Sequence, residues 1–284
     1  MIDVREISRR FGNTLALDHA SFRVEPGEIV ALLGPNGAGK TTASRIIAGI
    51  LAPSDGDVIV DGISVRTDPN AVRRRCGFVT DQPALYERMP LREYLEFFGR
   101  LYELPDTGRR ANELALLLGL ADRLDARLGT FSRGMKQKVA IARALVHDPP
   151  VLLLDEPATA LDPEMARTLR DFIVSLRARH RAILLCTHDL DEAQRIADRV
   201  VIVYKGRVAR EGRVGDLRAA GRDTYVATFA GDPERARAAL NGVGIDVLSL
   251  TQEVRSLEEA YFAVVSEAGG GSPVQPDRRK GVDA

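Results

Sequence analysis

One stretch of the sequence combines glycines, a lysine and two hydroxyl side chains in a spacing that suits phosphate chemistry. Residues 34–42 read Gly-Pro-Asn-Gly-Ala-Gly-Lys-Thr-Thr and fit the pattern G-x-x-x-x-G-K-[ST]. Glycines allow successive backbone N–H groups to point toward one anion, and the lysine adds a positive charge beside them. The stretch therefore predicts a phosphate-binding loop.

The residues on either side of this stretch have the patterns that such a loop requires. Residues 28–33 form a short apolar run typical of a strand buried on both faces, and residues 42–49 have the apolar spacing of a helix. The N-terminus of that helix adds partial positive charge. We expect the loop to bind a nucleoside triphosphate, with Lys40 on the β- and γ-phosphates and Thr41 on Mg²⁺. The predicted nucleotide-binding residues here are Gly34, Pro35, Asn36, Gly37, Ala38, Gly39, Lys40, Thr41 and Thr42.

Two adjacent carboxylates follow a second apolar run. Residues 151–154 read Val-Leu-Leu-Leu, and Asp155 and Glu156 come directly after them. Parallel α/β sheets place ligand chemistry at the carboxyl ends of their strands. Because neighbouring side chains diverge there, the two carboxylates can serve different atoms. We expect Asp155 to hold Mg²⁺ and Glu156 to orient or deprotonate a water that attacks the γ-phosphate.

The composition excludes several classes of protein. Forty basic and forty acidic residues cancel across the 284 residues, so no net field attracts nucleic acid. The two cysteines, Cys76 and Cys186, lie in apolar runs and are expected to be free buried thiols of a reducing compartment. No apolar stretch is long enough to span a bilayer, and charges near the N-terminus argue against a signal peptide. These features predict a soluble, cytoplasmic chain that acts at a membrane only through a partner.

The order of patterns along the chain predicts the fold. Residues 1–32 alternate apolar and polar positions with turn signals, which indicates an antiparallel sheet. A helical insertion then separates the first buried strand from the strand–helix–strand unit of residues 151–186. The predicted fold class is α/β: a P-loop NTPase core with a mostly parallel sheet, an N-terminal antiparallel β subdomain and an inserted helical subdomain. The predicted domains are residues 1–217 for nucleotide binding, with the helical subdomain at about 88–148, residues 218–266 as a small α/β appendage, and residues 267–284 as a disordered tail.

Over residues 2–215 the chain resembles the ATP-binding subunit of an ABC (ATP-binding cassette) transporter. Residues 131–135, Phe-Ser-Arg-Gly-Met, stand where that family has its signature loop, usually Leu-Ser-Gly-Gly-Gln. The resemblance implies that Ser132 and Gly134 contact the γ-phosphate of ATP held by a second cassette, so that hydrolysis needs two cassettes placed head to tail. Residues 160–162, Ala-Leu-Asp, match the family's D-loop, which lies across that dimer interface.

The same resemblance assigns two further site residues. His188, after the strand at 182–187, matches the switch histidine that contacts the γ-phosphate and helps to position the attacking water. Phe11 matches the aromatic side chain that stacks on adenine, with a core phenylalanine as the alternative. Residues 189–192 resemble a capping box that begins the next helix. The predicted catalytic residues are therefore Lys40, Glu156 and His188.

Two positions depart from the family pattern. The family usually has a glutamine at the end of the strand before the helical subdomain; here Asp81 takes that place by register, while Gln82 fits by chemistry. Asp81 or Gln82 is therefore expected to join Thr41 and Asp155 at the Mg²⁺ site, and a carboxylate would add charge there. Arg133 replaces the first signature glycine. It either stabilises charge that develops on the γ-phosphate or points to solvent.

Residues 86–95, 131–135 and 256–262 resemble exporters of the ABC-2 type, which handle drugs, sodium, polysaccharide or lipid-linked substrates. The resemblance implies an ATP- and Mg²⁺-dependent hydrolase that forms a homodimer of cassettes and binds an integral membrane permease at the inner face of the cell membrane. One alternative is a soluble ABC ATPase of a non-transport assembly system. A nucleotide sensor that does not hydrolyse is disfavoured, because it need not keep Lys40, Asp155, Glu156 and His188 together.

Overall fold

The fold is described by a computed structural model that covers residues 1–159, 161, 163–177, 180–219, 231–245, 247 and 250. The chain divides into two compact units, Met1–Asp223 and Thr224–Ala284. The strands of the described residues, in chain order, are β1 (Ile2–Phe11), β2 (Thr14–Val24), β3 (Ile29–Leu33), β4 (Asp55–Val60), β5 (Ile63–Ser64), β6 (Cys76–Val79), β7 (Val151–Asp155), β8 (Ala182–Thr187), β9 (Arg199–Tyr204) and β10 (Arg207–Arg213).

The helices alternate with these strands or form a separate group between β6 and β7. In chain order they are α1 (Lys40–Ile47), α2 (Pro69–Arg75), α3 (Leu91–Leu101), α4 (Thr107–Leu117), α5 (Arg133–Ala144), α6 (Pro163–Arg177), α7 (Leu190–Ile196), α8 (Val214–Ala219) and α9 (Pro233–Gly242). Short 3₁₀ turns at Ala121–Arg123 and Leu128–Thr130 connect α4 to α5.

The larger sheet carries the chemistry-bearing loops. Its strand order is β10-β9-β3-β8-β7-β6, in which the pairs from β9 to β6 are parallel and β10 is antiparallel. Every residue of β3, β7 and β8 is buried, as expected for strands covered on both faces. Because β3, β7 and β8 are neighbours, the segments after Leu33, Asp155 and Thr187 meet at one edge of the sheet.

The smaller sheet is antiparallel, with the order β2-β1-β4-β5. β1 and β2 are joined at Gly12, whose φ of 53° suits the tight turn predicted there. One part of the prediction for residues 1–32 is wrong: β3 pairs in parallel with β8 and β9, because its apolar side chains require cover on both faces. With that correction, the predicted fold class is confirmed.

The helices between β6 and β7 bury their apolar faces against the core. Leu91, Tyr94 and Leu95 of α3 are almost fully buried. α5 begins at Arg133 because Ser132 caps the helix by accepting from the Met135 backbone N–H at 3.3 Å. Gly134 therefore lies within the first helical turn.

Both cysteines are free and buried, as predicted. Burial raises the pKa of the Cys76 thiol to about 12, and burial also raises the pKa of Cys186, which lies 3.0 Å from the Ser44 hydroxyl. Both thiols are therefore protonated and inert at neutral pH.

The second unit has one described helix, α9, whose N-terminus is capped by the Asp232 side chain. Most of the predicted appendage, and all of the predicted tail at 267–284, lie outside the described residues, so these domain boundaries stay predictions. Within the described ranges, no helix has both the length and the apolar character needed to cross a bilayer.

Candidate active site

The glycine-rich loop lies between β3 and α1, as predicted, and α1 begins at Lys40. Lys40 is buried, and its Nζ donates to the Gly34 carbonyl oxygen at 2.6 Å and approaches that of Pro35 at 3.4 Å. The Lys40 ammonium thus lies beside two carbonyl groups of the loop. A bound phosphate can compete with these carbonyls for the ammonium. Of the other predicted loop residues, Pro35, Asn36, Gly37 and Thr41 are exposed, Thr42 is half-buried, and Ala38 and Gly39 are buried.

Backbone contacts fix this loop on two sides. A Cβ at Gly34 would lie 2.3 Å from the Val203 carbonyl oxygen of β9, and one at Gly39 would lie 2.6 Å from that of Ala16 in β2. Gly39 also has a φ of 109°, in the region that favours glycine. The strand β2, and with it the β1–β2 hairpin, is therefore held against the phosphate loop.

Asp155 ends β7 and is only 2% exposed. Burial raises the pKa of its carboxyl, as do the charges of Asp81 and Glu156, while the Thr41 hydroxyl and Lys40 act in the opposite direction. Its Oδ1 has no hydrogen-bond partner within the described part of the chain. A buried carboxylate with an unused oxygen beside a hydroxyl suits a hard cation such as Mg²⁺, which needs only one or two protein ligands when phosphates supply the rest.

Replacement of Asp155 by asparagine is expected to raise the unfolding midpoint of the nucleotide- and Mg²⁺-free protein at pH 7 while lowering hydrolysis. The pKa of Asp155 is higher in the folded than in the unfolded chain, so the stability present at acid pH is lost as pH rises through the folded pKa. Asparagine removes this cost. Thermal unfolding from pH 4 to pH 8 measures this cost. The difference in unfolding midpoint between variant and parent should shrink toward acid pH. A variant less stable than the parent at pH 7 would contradict the expectation.

Glu156 follows Asp155 with a φ of 50°, uncommon for a residue with a side chain. Its backbone N–H donates to the Cys186 carbonyl oxygen at 2.8 Å, which holds this conformation. The turn directs the two carboxylates to different surroundings, as the sequence predicted. Strained backbone of this kind is found at functional sites, where the surrounding structure maintains it.

The Glu156 carboxylate contacts the other predicted catalytic residues. Its Oε1 lies 2.9 Å from His188 Nδ1 and 3.8 Å from Lys40 Nζ. Its Oε2 accepts from the Thr159 hydroxyl at 3.2 Å and lies 3.5 Å from that of Thr187. An oriented carboxylate between a histidine and the phosphate-loop lysine can position and deprotonate a water near a bound γ-phosphate.

Thr159 and Thr187 were missed by the sequence reasoning, although both had a signal. Each lies within three residues of a predicted catalytic side chain, and a hydroxyl so close can hold a carboxylate in place. The predicted D-loop residues Ala160 and Asp162 lie outside the described residues.

The predicted capping box at residues 189–192 is only half right. The Asp189 carboxylate accepts from the backbone N–H groups of Asp191 and Glu192, as an N-cap should. In a complete capping box the Glu192 carboxylate would accept from the Asp189 backbone N–H. That N–H donates instead to the Thr187 hydroxyl at 3.1 Å. Glu192 is buried, and burial raises the pKa of its carboxyl.

Asp81 and Gln82 both lie exposed in the loop after β6, which ends at Val79. The charge of Asp81 is near enough to raise the pKa of Asp155. The backbone carbonyl of Gln82 accepts from the Thr80 hydroxyl at 3.2 Å. Asp81 is therefore close to the predicted Mg²⁺ site, and the choice between the two residues stays a prediction.

The signature residues Ser132, Arg133 and Gly134 lie at the N-terminus of α5. Ser132 and Arg133 are exposed at the start of α5, and a Cβ at Gly134 would lie 2.9 Å from Met165 Cγ. No hydrogen bond or ion pair described within residues 1–159 and 180–219 joins Ser132 or Gly134 to Glu156 or His188.

Phe11 ends β1, and its side chain is 47% exposed, so the alternative of a core phenylalanine is excluded. The hairpin that carries it is fixed near the phosphate loop: the Asp18 N–H donates to the Gly206 carbonyl at 2.9 Å, and the Gly206 N–H donates to the Ala38 carbonyl at 3.1 Å. An exposed aromatic ring on a rigid hairpin beside the loop can stack on a nucleotide base.

Comparison with known proteins agrees with this geometry. Residues 17–159 match the ABC transporter family. The ABC transporter ATP-binding protein NatA of Bacillus subtilis (strain 168) is 41% identical over 224 residues, which cover 76% of this chain and 91% of that protein. The Nod factor export ATP-binding protein I of Burkholderia lata is 39% identical over 213 residues, which cover 74% of this chain and 70% of that protein.

Solved structures of ATP-binding cassettes share the fold. An ATP-binding subunit of an ABC transporter superposes with a TM-score of 0.71 at 35% identity, covering 77% of this chain and 92% of that one. The dimeric post-hydrolysis state of the cassette MJ0796, bound to ADP and Pi, gives 0.69 at 26% identity, covering 75% and 99%. The chain therefore belongs to the ABC transporter family, as an ATP-binding cassette with ATPase function.

Proposed function

We propose that this chain hydrolyses Mg-ATP at a composite interface between two head-to-tail cassettes and thereby energises a membrane export permease. The observation that supports this most is the contact of Glu156 with both His188 and Lys40, at 2.9 and 3.8 Å. This supports hydrolysis because a carboxylate hydrogen-bonded to a histidine also lies within ion-pair distance of the phosphate-loop lysine.

Each residue of the group has a role in hydrolysis. Lys40 leaves the Gly34 carbonyl to bind the outer phosphates, and Glu156 is released from the lysine to hold the attacking water. His188 fixes the orientation of Glu156 and contacts the γ-phosphate. Thr41, Asp155 and either Asp81 or Gln82 would hold Mg²⁺, which neutralises charge on the phosphates when bound.

A second copy completes the site. Ser132 and Gly134 lie at the N-terminus of α5, where free N–H groups favour an anion. We infer that they contact the γ-phosphate held by the partner's loop, as the resemblance of residues 131–135 to the signature loop implies. The dimeric cassette bound to ADP and Pi supports the pairing of two cassettes.

An exposed aromatic surface on the helical part is the proposed contact with the permease. Tyr86 is 52% exposed and packs edge-on against Tyr94 and Phe97, while Leu101 is exposed at the end of α3. Exposed apolar groups of this kind mark binding surfaces. Tyr86 lies on the loop that also carries Asp81, so a partner bound here can sense the metal side of the nucleotide site.

Replacement of Tyr86 by aspartate is expected to weaken permease binding by about 30-fold or more without changing ATP affinity, because a buried interface aromatic contributes about 2 kcal/mol or more. The measurement is a pull-down of the tagged chain from detergent-solubilised membranes of its host. Leu116 of α4, which is 73% exposed on another helix, gives the matched control Leu116→Asp.

The proposal expects one polytopic membrane protein with the parent and with Leu116→Asp, and its loss with Tyr86→Asp. Equal recovery of the membrane protein with both variants would show that the permease binds at another surface. Recovery of soluble partners alone would favour the other candidate, a soluble ABC ATPase of an assembly system. The Nod factor export relative supports the export assignment, and NatA, an ABC transporter ATP-binding protein, supports a role in transport.

A further inference from the structure

Arg9 stacks on the ring that we expect to receive the base. Its guanidinium carbon lies 4.7 Å from the centroid of the Phe11 ring. The Arg9 Nη1 donates to the Ala52 carbonyl oxygen at 2.9 Å, so the guanidinium is held from two directions. Its Nε is buried and donates to no acceptor within the described residues. Among the described residues no carboxylate forms an ion pair with Arg9, so stacking and one backbone contact place the guanidinium.

This arrangement leaves one face of Phe11 available. The negative face of an aromatic ring attracts a cation, so the guanidinium favours a single orientation of the ring. A ring that is 47% exposed would otherwise change rotamer on a picosecond-to-nanosecond timescale. With one face covered by Arg9, a second flat group can stack only on the opposite face.

The anchor of Arg9 also connects the ring to the phosphate loop. Ala52 lies in the segment that follows α1, and the N-terminus of α1 is formed by Lys40 of that loop. On the other side, Ala16 of the same hairpin contacts Gly39. These two anchors hold the Phe11 ring at a fixed distance from the phosphate loop. A ligand with a base at one end and phosphates at the other requires such a fixed distance.

We propose that Arg9 is a positioning residue for the nucleotide base, which holds Phe11 so that adenine stacks on the ring's opposite face. The inference rests on the proposed function, because it needs Phe11 to receive the base. Arg9 contacts Phe11 and not the nucleotide. Since stacking uses the π-face that all bases share, Arg9 strengthens the binding of ATP and GTP alike.

Replacement of Arg9 by alanine should raise the Kd for Mg-ATP by roughly three- to tenfold. The value of kcat at saturating ATP should not change, because the reacting groups lie at the other end of the nucleotide. The inhibition constant of inorganic tripolyphosphate, which has no base, should also stay the same. Arg9→Lys keeps the charge without the flat guanidinium and should restore only part of the affinity.

Two further variants separate stacking from charge. Arg10→Ala removes the same charge from the exposed neighbouring residue and should leave the Kd for ATP unchanged. Phe11→Ala should weaken ATP binding, and adding Arg9→Ala to it should cost nothing more. Thermal unfolding of each variant verifies that the fold is intact.

The outcomes distinguish this inference from the proposed function. If Phe11→Ala weakens ATP binding and Arg9→Ala does not, the inference is wrong and the proposed function stands. Equal weakening of ATP and tripolyphosphate by Arg9→Ala would show a charge effect and overturn the inference too. If the parent chain binds tripolyphosphate and ATP with the same affinity, neither ring nor arginine serves a base, whereas absence of any ATP binding would overturn the proposed function itself.

Discussion

Replacement of Glu156 by glutamine is expected to lower ATP turnover at least about 100-fold while leaving ATP affinity within about twofold of the parent. Glutamine keeps the size of the side chain and can still meet the hydroxyl groups of Thr159 and Thr187, but it cannot take a proton from water. The water then stays unreactive beside an intact γ-phosphate. Because ATP is the contact between the two cassettes, it should hold them together when it is not hydrolysed.

Two measurements check this expectation: phosphate release at saturating Mg-ATP, and size-exclusion chromatography with and without ATP. The variant should elute as a dimer with ATP and as a monomer with ADP. Glu164, an exposed carboxylate in the first turn of α6, gives the matched control Glu164→Gln, which should hydrolyse ATP at the parent rate. Parent-level hydrolysis by Glu156→Gln would show that another group acts as the base.

Replacement of Lys40 by methionine is expected to raise the Kd for Mg-ATP about 100-fold, equivalent to about 2.8 kcal/mol. The methionine fills the same buried space but removes the cation that would hold the β- and γ-phosphates, and charged hydrogen bonds of this kind contribute about 1.5–3 kcal/mol each. It also leaves the Gly34 carbonyl without the Nζ donor at 2.6 Å. Hydrolysis should be lost at ATP concentrations that saturate the parent.

Equilibrium binding of a fluorescent ATP analogue measures this effect. Lys205→Met, which removes an exposed lysine stacked on Tyr204, is the control and should bind as the parent does. The two main variants differ in a diagnostic way: Glu156→Gln keeps its affinity for ATP and loses turnover, whereas Lys40→Met loses affinity by about 100-fold. Unchanged affinity in Lys40→Met would mean that the lysine serves the apo loop, through Gly34, and not the phosphates.

The sequence predicted the parts of the site that depend on local patterns. The loop at 34–42 and the carboxylates after β7 were identified because a buried strand followed by polar residues has a recognisable spacing. The contact between Glu156 and His188 was expected only through the family resemblance, since the 32 residues between them reveal no distance.

What the sequence could not predict are side-chain contacts that tertiary packing decides. The stacking of Arg9 on Phe11 depends on how β1 is placed against the Ala52 segment. The capping prediction at residues 189–192 is only half right because the Thr187 hydroxyl, two residues before the cap, accepts from the Asp189 backbone N–H. Part of β3 was assigned to the antiparallel sheet because its partner strand β8 lies far along the chain and leaves no local signal in residues 1–32.

The most direct test of the central claim is a structure of the Glu156→Gln variant with Mg-ATP. We expect two chains placed head to tail, in which each γ-phosphate contacts Lys40 of one chain and Ser132 of the other. A monomer with ATP bound, or a dimer in which Ser132 lies far from both nucleotides, would contradict hydrolysis at a composite site.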